Sequence, residues 1–576
     1  MNGPRRRSLI AAIGSALLLA GMIGSAPAAG ATPVGAAATR LQWTPCFVDF
    51  GPFECTFVKV PLDYDRPTGA RITLPLVRLP AANPALRQGS LFINPGGPGG
   101  SGVEAVVGSA PVLFTQDVRD RFDIVGFDPR GIVRSNQLRC FQTVEQWEPY
   151  LTPFSFPITR AETRAWIAAD RYLDRACARH GNAILNHMST ANVARDLDRL
   201  RAAVGDAKLT FVGYSYGTMI GQTYANMFPG RFRAIVIDGV LDPIAWTTGA
   251  PGQRGLPFAT RLRSDAGAMA TLREFFRLCD TGAGCPLAGG ASARYAAIAR
   301  SLRASPLVIG DPETGQFAYN YSLFISDTLG AMYSSFSWPG FAEFVATLEM
   351  ILAPGGSPAR ERAAAARALV RFRDTAGLNE PFPEFPDYQN LVEGFPGVAC
   401  SDSDNPDSYA VWSRVGAASD ARFGYFGRLW TWVSSICAEW PGQDADRYVG
   451  PWTRRTTAPV LVVGNRFDPA TRYQGAQTAH RLLPNSRLLT VEGWGHTSLF
   501  LSTCADAAIA RYLVAGRAPA AGAVCRQDAV PWVDFGGPPP EPASARTGRE
   551  LRAERALRNQ LLPWGVARRA HRSSGN

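Results

Sequence analysis

One segment constrains this chain more than any other. Leu209-Thr210-Phe211-Val212 is a short apolar run, Gly213-Tyr214-Ser215-Tyr216-Gly217 follows it, and Tyr216 to Met227 reads as a helix. A buried strand that enters a helix through G-x-S-x-G must turn sharply, and that turn exposes the serine hydroxyl at the end of a sheet. Gly213 and Gly217 suit a turn in which side chains would collide with backbone. Gly217 and Gly221 lie one helical turn apart, which allows close packing on the sheet. The competing reading is a buried turn with a purely structural role.

The flanking pattern places this elbow in a larger sheet. Short β-like runs occur at 56–60 and 72–76. Leu91 to Asn94 is an apolar run ending in Pro95-Gly96-Gly97-Pro98-Gly99-Gly100, and Phe122 to Phe127 ends in Asp128-Pro129-Arg130-Gly131. A helix over 191–204, capped near Ser189 or Thr190, precedes the elbow, and Phe232 to Ile237 is a further strand. Buried strands alternating with helices predict a mostly parallel sheet with helices on both faces. The alternation stops after Pro243 and resumes at Pro459-Val460-Leu461-Val462-Val463-Gly464, with a helix near 473–483, a strand at 487–491 and a helix at 504–514. The expected organisation is therefore a core at 41–243, a large helical cap insertion at 244–457, and the rest of the core at 458–526. Such a cap would cover the strand ends where ligands bind in open α/β sheets.

Both chain ends differ from this body. Arg5, Arg6 and Arg7 precede an apolar run from Leu9 to Ile23, and Ala26-Pro27-Ala28 offers a cleavage site, so 1–31 reads as a secretory signal peptide. A membrane anchor is the alternative. Residues 527–576 begin a Pro-rich linker and an Arg-rich tail with a possible helix over 543–562. That tail is either solvated or in contact with the anionic cell envelope. The net charge is +11; the first three arginines supply three of it and residues 542–576 supply six, so only two remain for the body. The high charge thus gives no argument for nucleic-acid binding.

Ten cysteines fit an oxidising compartment, and their spacing pairs neighbours as 46–55, 140–177, 279–285, 400–437 and 504–525. There is no C-x-x-C pair and only five histidines, so neither a metal nor any other cofactor is expected. A serine nucleophile needs a base. His571 lies in the tail, His180 and His187 precede the elbow, and His480 falls inside a helix. His496 follows the run Leu488-Leu489-Thr490-Val491 in a glycine-containing loop, where a base reaches the sheet edge. Asp468 follows the strand at 460–464 and gives the chain order Ser, acid, His; Asp238, after the strand at 234–237, is the rival acid. Backbone amides for an oxyanion would come from Tyr216 and from Gly97 in the 95–100 loop.

These motifs in this order resemble the secreted tripeptidyl-aminopeptidase-like subgroup of the α/β-hydrolases, related to proline iminopeptidase. The resemblance spans Trp43 to Cys525 and includes Val60-Pro61-Leu62-Asp63-Tyr64, Ala399-Cys400-Ser401-Asp402 and the late cysteine pair. It implies an α/β-hydrolase fold and a metal-free serine peptidase that releases N-terminal residues or short peptides. It places the catalytic triad on Ser215, Asp468 and His496 and the oxyanion donors on Gly97 and Tyr216. Its substrates would be peptides with a free N-terminus, and Asp402 is the candidate partner for their ammonium, against the alternative of a surface aspartate. A secreted carboxylesterase or lipase with the same triad, and an inactive envelope-binding protein, are the competing functions. Val133 stands where the subgroup usually carries a second glycine.

Overall fold

The computed structural model describes residues 41–535, except 144, 312–314, 354–358 and 376–387. The expected signal peptide, most of the linker and the basic tail lie outside the described residues. The main sheet has ten strands in the order β1-β2-β3-β5-β4-β6-β7-β10-β11-β12. They are β1 (Thr44–Cys46), β2 (Phe53–Pro61), β3 (Arg71–Leu79), β4 (Gly89–Asn94), β5 (Phe122–Phe127), β6 (Leu209–Tyr214), β7 (Phe232–Asp238), β10 (Val460–Phe467), β11 (Ser486–Trp494) and β12 (Val524–Arg526). From β5 to β12 all neighbours are parallel, whereas β1, β2 and β3 form an antiparallel flank that joins β5 antiparallel.

The central strands are buried along their whole length, as strands covered on both faces must be. Alternate residues feed two separate cores. Leu91, Ile93, Val212, Val236, Leu461 and Val463 join one; Phe92, Phe211, Ile235, Ile237, Val460 and Val462 join the other. The period of two thus divides each strand between the faces. The helix before the elbow spans Thr190–Ala203, and Ser189 is its N-cap, accepting Asn192 N–H. The helix after it spans Gly217–Met227.

Among the described residues between Asp238 and Val460 none joins the main sheet, although β7 and β10 are parallel neighbours. The described part of this stretch holds helices and an antiparallel hairpin, β8 (Leu307–Asp311) with β9 (Gly315–Tyr319). Phe275, Trp338 and Phe341 from it share a core with Leu461 and Val463, so sheet and insertion are packed through common apolar contacts. Five disulfides join neighbouring cysteines, as the spacing predicts: 46–55, 140–177, 279–285, 400–437 and 504–525. No described helix is long and apolar enough to cross a membrane.

The Asp-Pro-Arg-Gly turn after β5 carries a buried ion pair. Arg130 meets Asp196 through Nε and Nη2 at 2.7 and 2.6 Å, and both side chains are fully buried. The remaining guanidinium hydrogens go to the carbonyls of Pro61, Leu62 and His187, and Tyr64 donates its hydroxyl to the same Asp196 at 2.8 Å. One satisfied network thus joins the Val60–Tyr64 segment, the turn and the 190–203 helix. Val133 has φ +40°, a left-handed conformation that costs a β-branched residue, and its N–H is held by Asn390 at 3.0 Å.

Candidate active site

The elbow forms because β6 enters its helix with almost no linker. Ser215 has φ +53° and donates its N–H to Asp238 O at 2.9 Å. A non-glycine residue in that region is strained and persists only where its surroundings fix it. The glycines meet the steric demand: a Cβ on Gly213 would lie 2.2 Å from Gly217 O. The 95–100 loop follows β4, the sheet neighbour of β6, with Asn94 opposite Gly213. Gly96 has φ +107°, and a Cβ there would meet Tyr214 O at 2.6 Å and Ser215 Cβ at 2.9 Å. That loop therefore lies directly against the serine. Neither Gly97 N–H nor Tyr216 N–H is used in a hydrogen bond among the described residues. Gly97 directly follows the glycine that meets the elbow, and Tyr216 directly follows the serine.

His496 lies in the loop after β11, and its ring comes beside the end of β7, where a Cβ on Gly239 would approach Cε1 to 3.2 Å. Its Nδ1 is 2.9 Å and 3.0 Å from the two oxygens of Asp468. Its Nε2 is buried and has no hydrogen-bond partner. Asp468 is 1% exposed and receives further hydrogen bonds from Ala470 N–H, Thr471 N–H, Thr471 Oγ1 and Thr497 N–H. Four donors besides the imidazole orient this carboxylate and satisfy its charge. An acid-oriented imidazole with one free nitrogen near an elbow serine is an arrangement able to accept a proton from that serine.

Asp238 does not touch the imidazole. Its carboxylate takes Ser498 N–H at 3.1 and 3.0 Å and Ser498 Oγ at 2.7 Å, and burial pushes it up to about 6. Of the two candidate acids, the structure brings only Asp468 to His496.

Asp402, expected as the partner of a substrate ammonium or as a surface aspartate, is not at the surface. It is 3% exposed, with Thr190 N–H at 2.8 Å, the Thr190 hydroxyl at 2.5 Å and Trp246 Nε1 at 3.1 Å as donors. Thr190 Oγ1 also lies 2.5 Å from the Tyr216 hydroxyl, and the Tyr216 and Trp246 rings pack 5.6 Å apart. The carboxylate is thus enclosed behind Tyr216 and engaged by protein donors. Burial pushes it up to about 6.

Two residues near the imidazole carried no assignment from sequence. Thr471 fixes Asp468, and the Asp-Pro-Ala-Thr spacing, which lets an aspartate cap its own turn, is the signal that finds it. Tyr333 comes from the insertion: its carbonyl accepts His496 N–H at 2.9 Å and its ring meets the imidazole edge-on at 5.0 Å. No local pattern marks Tyr333, because only the folded insertion delivers it. The one carboxylate group among the described residues close enough to share a cation is Asp63, Asp65 and Asp446, and it includes none of these residues.

Comparison with known proteins agrees with this architecture. Residues 89–266 match the family model for the alpha/beta hydrolase fold, and 421–525 match the model described as TAP-like protein. The chain is 32% identical over 512 residues to the serine protease Hip1 of Mycobacterium tuberculosis, covering 84% of this chain and 91% of that protein. It is 29% identical over 525 residues to the tripeptidyl aminopeptidase of Streptomyces lividans, covering 88% and 90%. It is 30% identical over 551 residues to a Mycobacterium tuberculosis protein named carboxylesterase B, covering 90% and 99%. With a mostly parallel ten-stranded sheet, a serine elbow and these matches along most of its length, the chain belongs to the TAP-like serine hydrolases of the α/β-hydrolase family.

Proposed function

We propose that this protein is an exported serine peptidase that releases short N-terminal peptides through an acyl-enzyme on Ser215. The observation that carries the reading is His496, bound through Nδ1 to Asp468 and free at Nε2 beside the Ser215 elbow. His496 takes the Ser215 proton as the oxygen attacks the substrate carbonyl. The N–H groups of Gly97 and Tyr216 hold the resulting oxyanion. The imidazolium then protonates the leaving amine, and water, deprotonated by His496, releases the acyl group. Asp468 keeps the imidazole in the required tautomer and offsets its charge. The names of two relatives, a serine protease and a tripeptidyl aminopeptidase, support a peptide substrate. Five disulfides and a signal-like leader support export.

A second reading keeps the triad and hydrolyses esters; the relative named carboxylesterase B favours it. Parallel assays of free N-terminal peptide amides, N-blocked peptides and aryl esters, with Ser215→Ala as control, separate the two. The peptidase reading expects free peptides to be turned over with the highest kcat/KM. Equal rates on free and blocked peptides, or turnover of esters alone, would sink it.

A further inference from the structure

Asp238 ends β7 between two catalytic loops and holds one with each end. Its backbone carbonyl accepts Ser215 N–H at 2.9 Å, and its carboxylate accepts the N–H and hydroxyl of Ser498. Ser498 is two residues past His496. The loop between needs an external hold: Gly495 has φ +132° and Thr497, β-branched, has φ +69°. Successive amides of this loop go to different carboxylates, Thr497 N–H to Asp468 and Ser498 N–H to Asp238.

We propose that Asp238 is a positioning residue that fixes His496 relative to Ser215. It grips the elbow through its carbonyl and the histidine loop through its carboxylate. This rests on the serine-hydrolase reading above.

Packing alone does not account for the place of this side chain. Asp238, Tyr214, Ser498 and Asp506 line a cavity of about 20 Å³ walled by Val118 and Ile509, about enough for one water. Among the described residues no lysine or arginine forms an ion pair with Asp238, although it is fully buried. The charged groups facing it are Asp468 and Asp506, which oppose its ionisation, and His496, which favours it; Tyr214 lines the same cavity. An uncompensated buried charge is costly, and the bonds to Ser498 are what it gains in return. Small errors in placing a base cost large factors in rate, which makes such a hold consequential.

The test uses the full-length chain as wild type, Asp238→Asn, Ser498→Ala and the double variant. Fluorophosphonate labelling of wild type at Ser215, absent in Ser215→Ala, first establishes the serine-hydrolase reading; its failure would reject that reading and the clamp along with it. With labelling in hand, steady-state kinetics on a free N-terminal peptide amide test the clamp alone. Asp238→Asn is expected to lower kcat about 10- to 100-fold with KM held within about threefold. Ser498→Ala, which keeps the amide bond and loses the hydroxyl, is expected to lower kcat about 3- to 10-fold. The double variant should be no worse than Asp238→Asn, since both remove one contact. A purely structural role would lower the yield of folded protein, or change KM along with kcat, rather than lower kcat alone. Asp238→Asn with kcat within twofold of wild type would overturn the proposal, and so would losses that multiply in the double variant. If Asp238→Asn does not fold, Ser498→Ala decides: retained folding with lowered kcat supports the clamp, and wild-type kcat rejects it.

Discussion

Asp468 and Asp402 are both nearly inaccessible aspartates, and their surroundings give them different work. Asp468 gathers four donors and still faces the imidazole, so Asp468→Asn should lower kcat by about a thousandfold while the chain stays folded, as peptide kinetics and thermal denaturation would show. Asp402 holds Thr190 and Trp246, and through them the ring of Tyr216. Asp402→Asn should therefore lower kcat on blocked and free peptides alike. A selective loss for free N-termini would restore the ammonium role expected from sequence. Arg130 carries the largest stability consequence. Arg130→Ala leaves Asp196 buried without its partner and should cost about 3–5 kcal/mol, read from denaturant midpoints.

Among the elements, the elbow was legible because every part of it is local. An apolar run, two glycines and a helix lie in nineteen consecutive positions, 209–227, and strand and helix form there with boundaries moved by only one or two residues. The 95–100 loop was legible for the same reason. Gly96→Ala tests its approach to the elbow: a Cβ 2.6 Å from Tyr214 O at φ +107° must displace the loop or the serine, so both activity and melting temperature should fall. The insertion was legible only as an interruption of pattern. Its helices pack on one another and on the sheet through contacts distant in sequence, so neither Tyr333 nor the enclosure of Asp402 had a local signature. The helix Arg160–His180 does carry a local signature: Thr159 and Glu162 form a capping box. Asp238 shows the limit from the other side. Strand-end position made it a rival acid, but which loop its carboxylate reaches depends on the β7–β10–β11 order, which sequence does not print.

At the scale of the whole molecule, buried carboxyls set how stability responds to pH. Burial pushes Asp238 and Asp402 up to about 6, and Glu393 and Asp506 up to about 7. Asp128, Asp206 and Asp420 move the same way. Above the ordinary carboxylate range and up to these values the folded chain holds more protons than the unfolded one, so stability falls as pH rises through that window. His480, lowered by burial, acts in the opposite direction near its ordinary value of 6.5, and it is a single group. Asp198, Glu274 and Asp280 are lowered and so act only at more acid pH. The melting temperature should therefore be higher at pH 5 than at pH 8. A melting temperature that rises from pH 5 to pH 8 would contradict this distribution of buried charge.

All three scales meet at Ser215, the residue whose strained backbone, free neighbouring amides and nearby acid-oriented imidazole define the site. The most direct measurement is mass-spectrometric mapping of a fluorophosphonate adduct on the purified chain, with and without an excess of a peptide carrying a free N-terminus. The account predicts one adduct, on Ser215, slowed by the peptide and by His496→Ala and absent from Ser215→Ala. An unlabelled protein, or an adduct on any other residue with Ser215 unmodified, would contradict it.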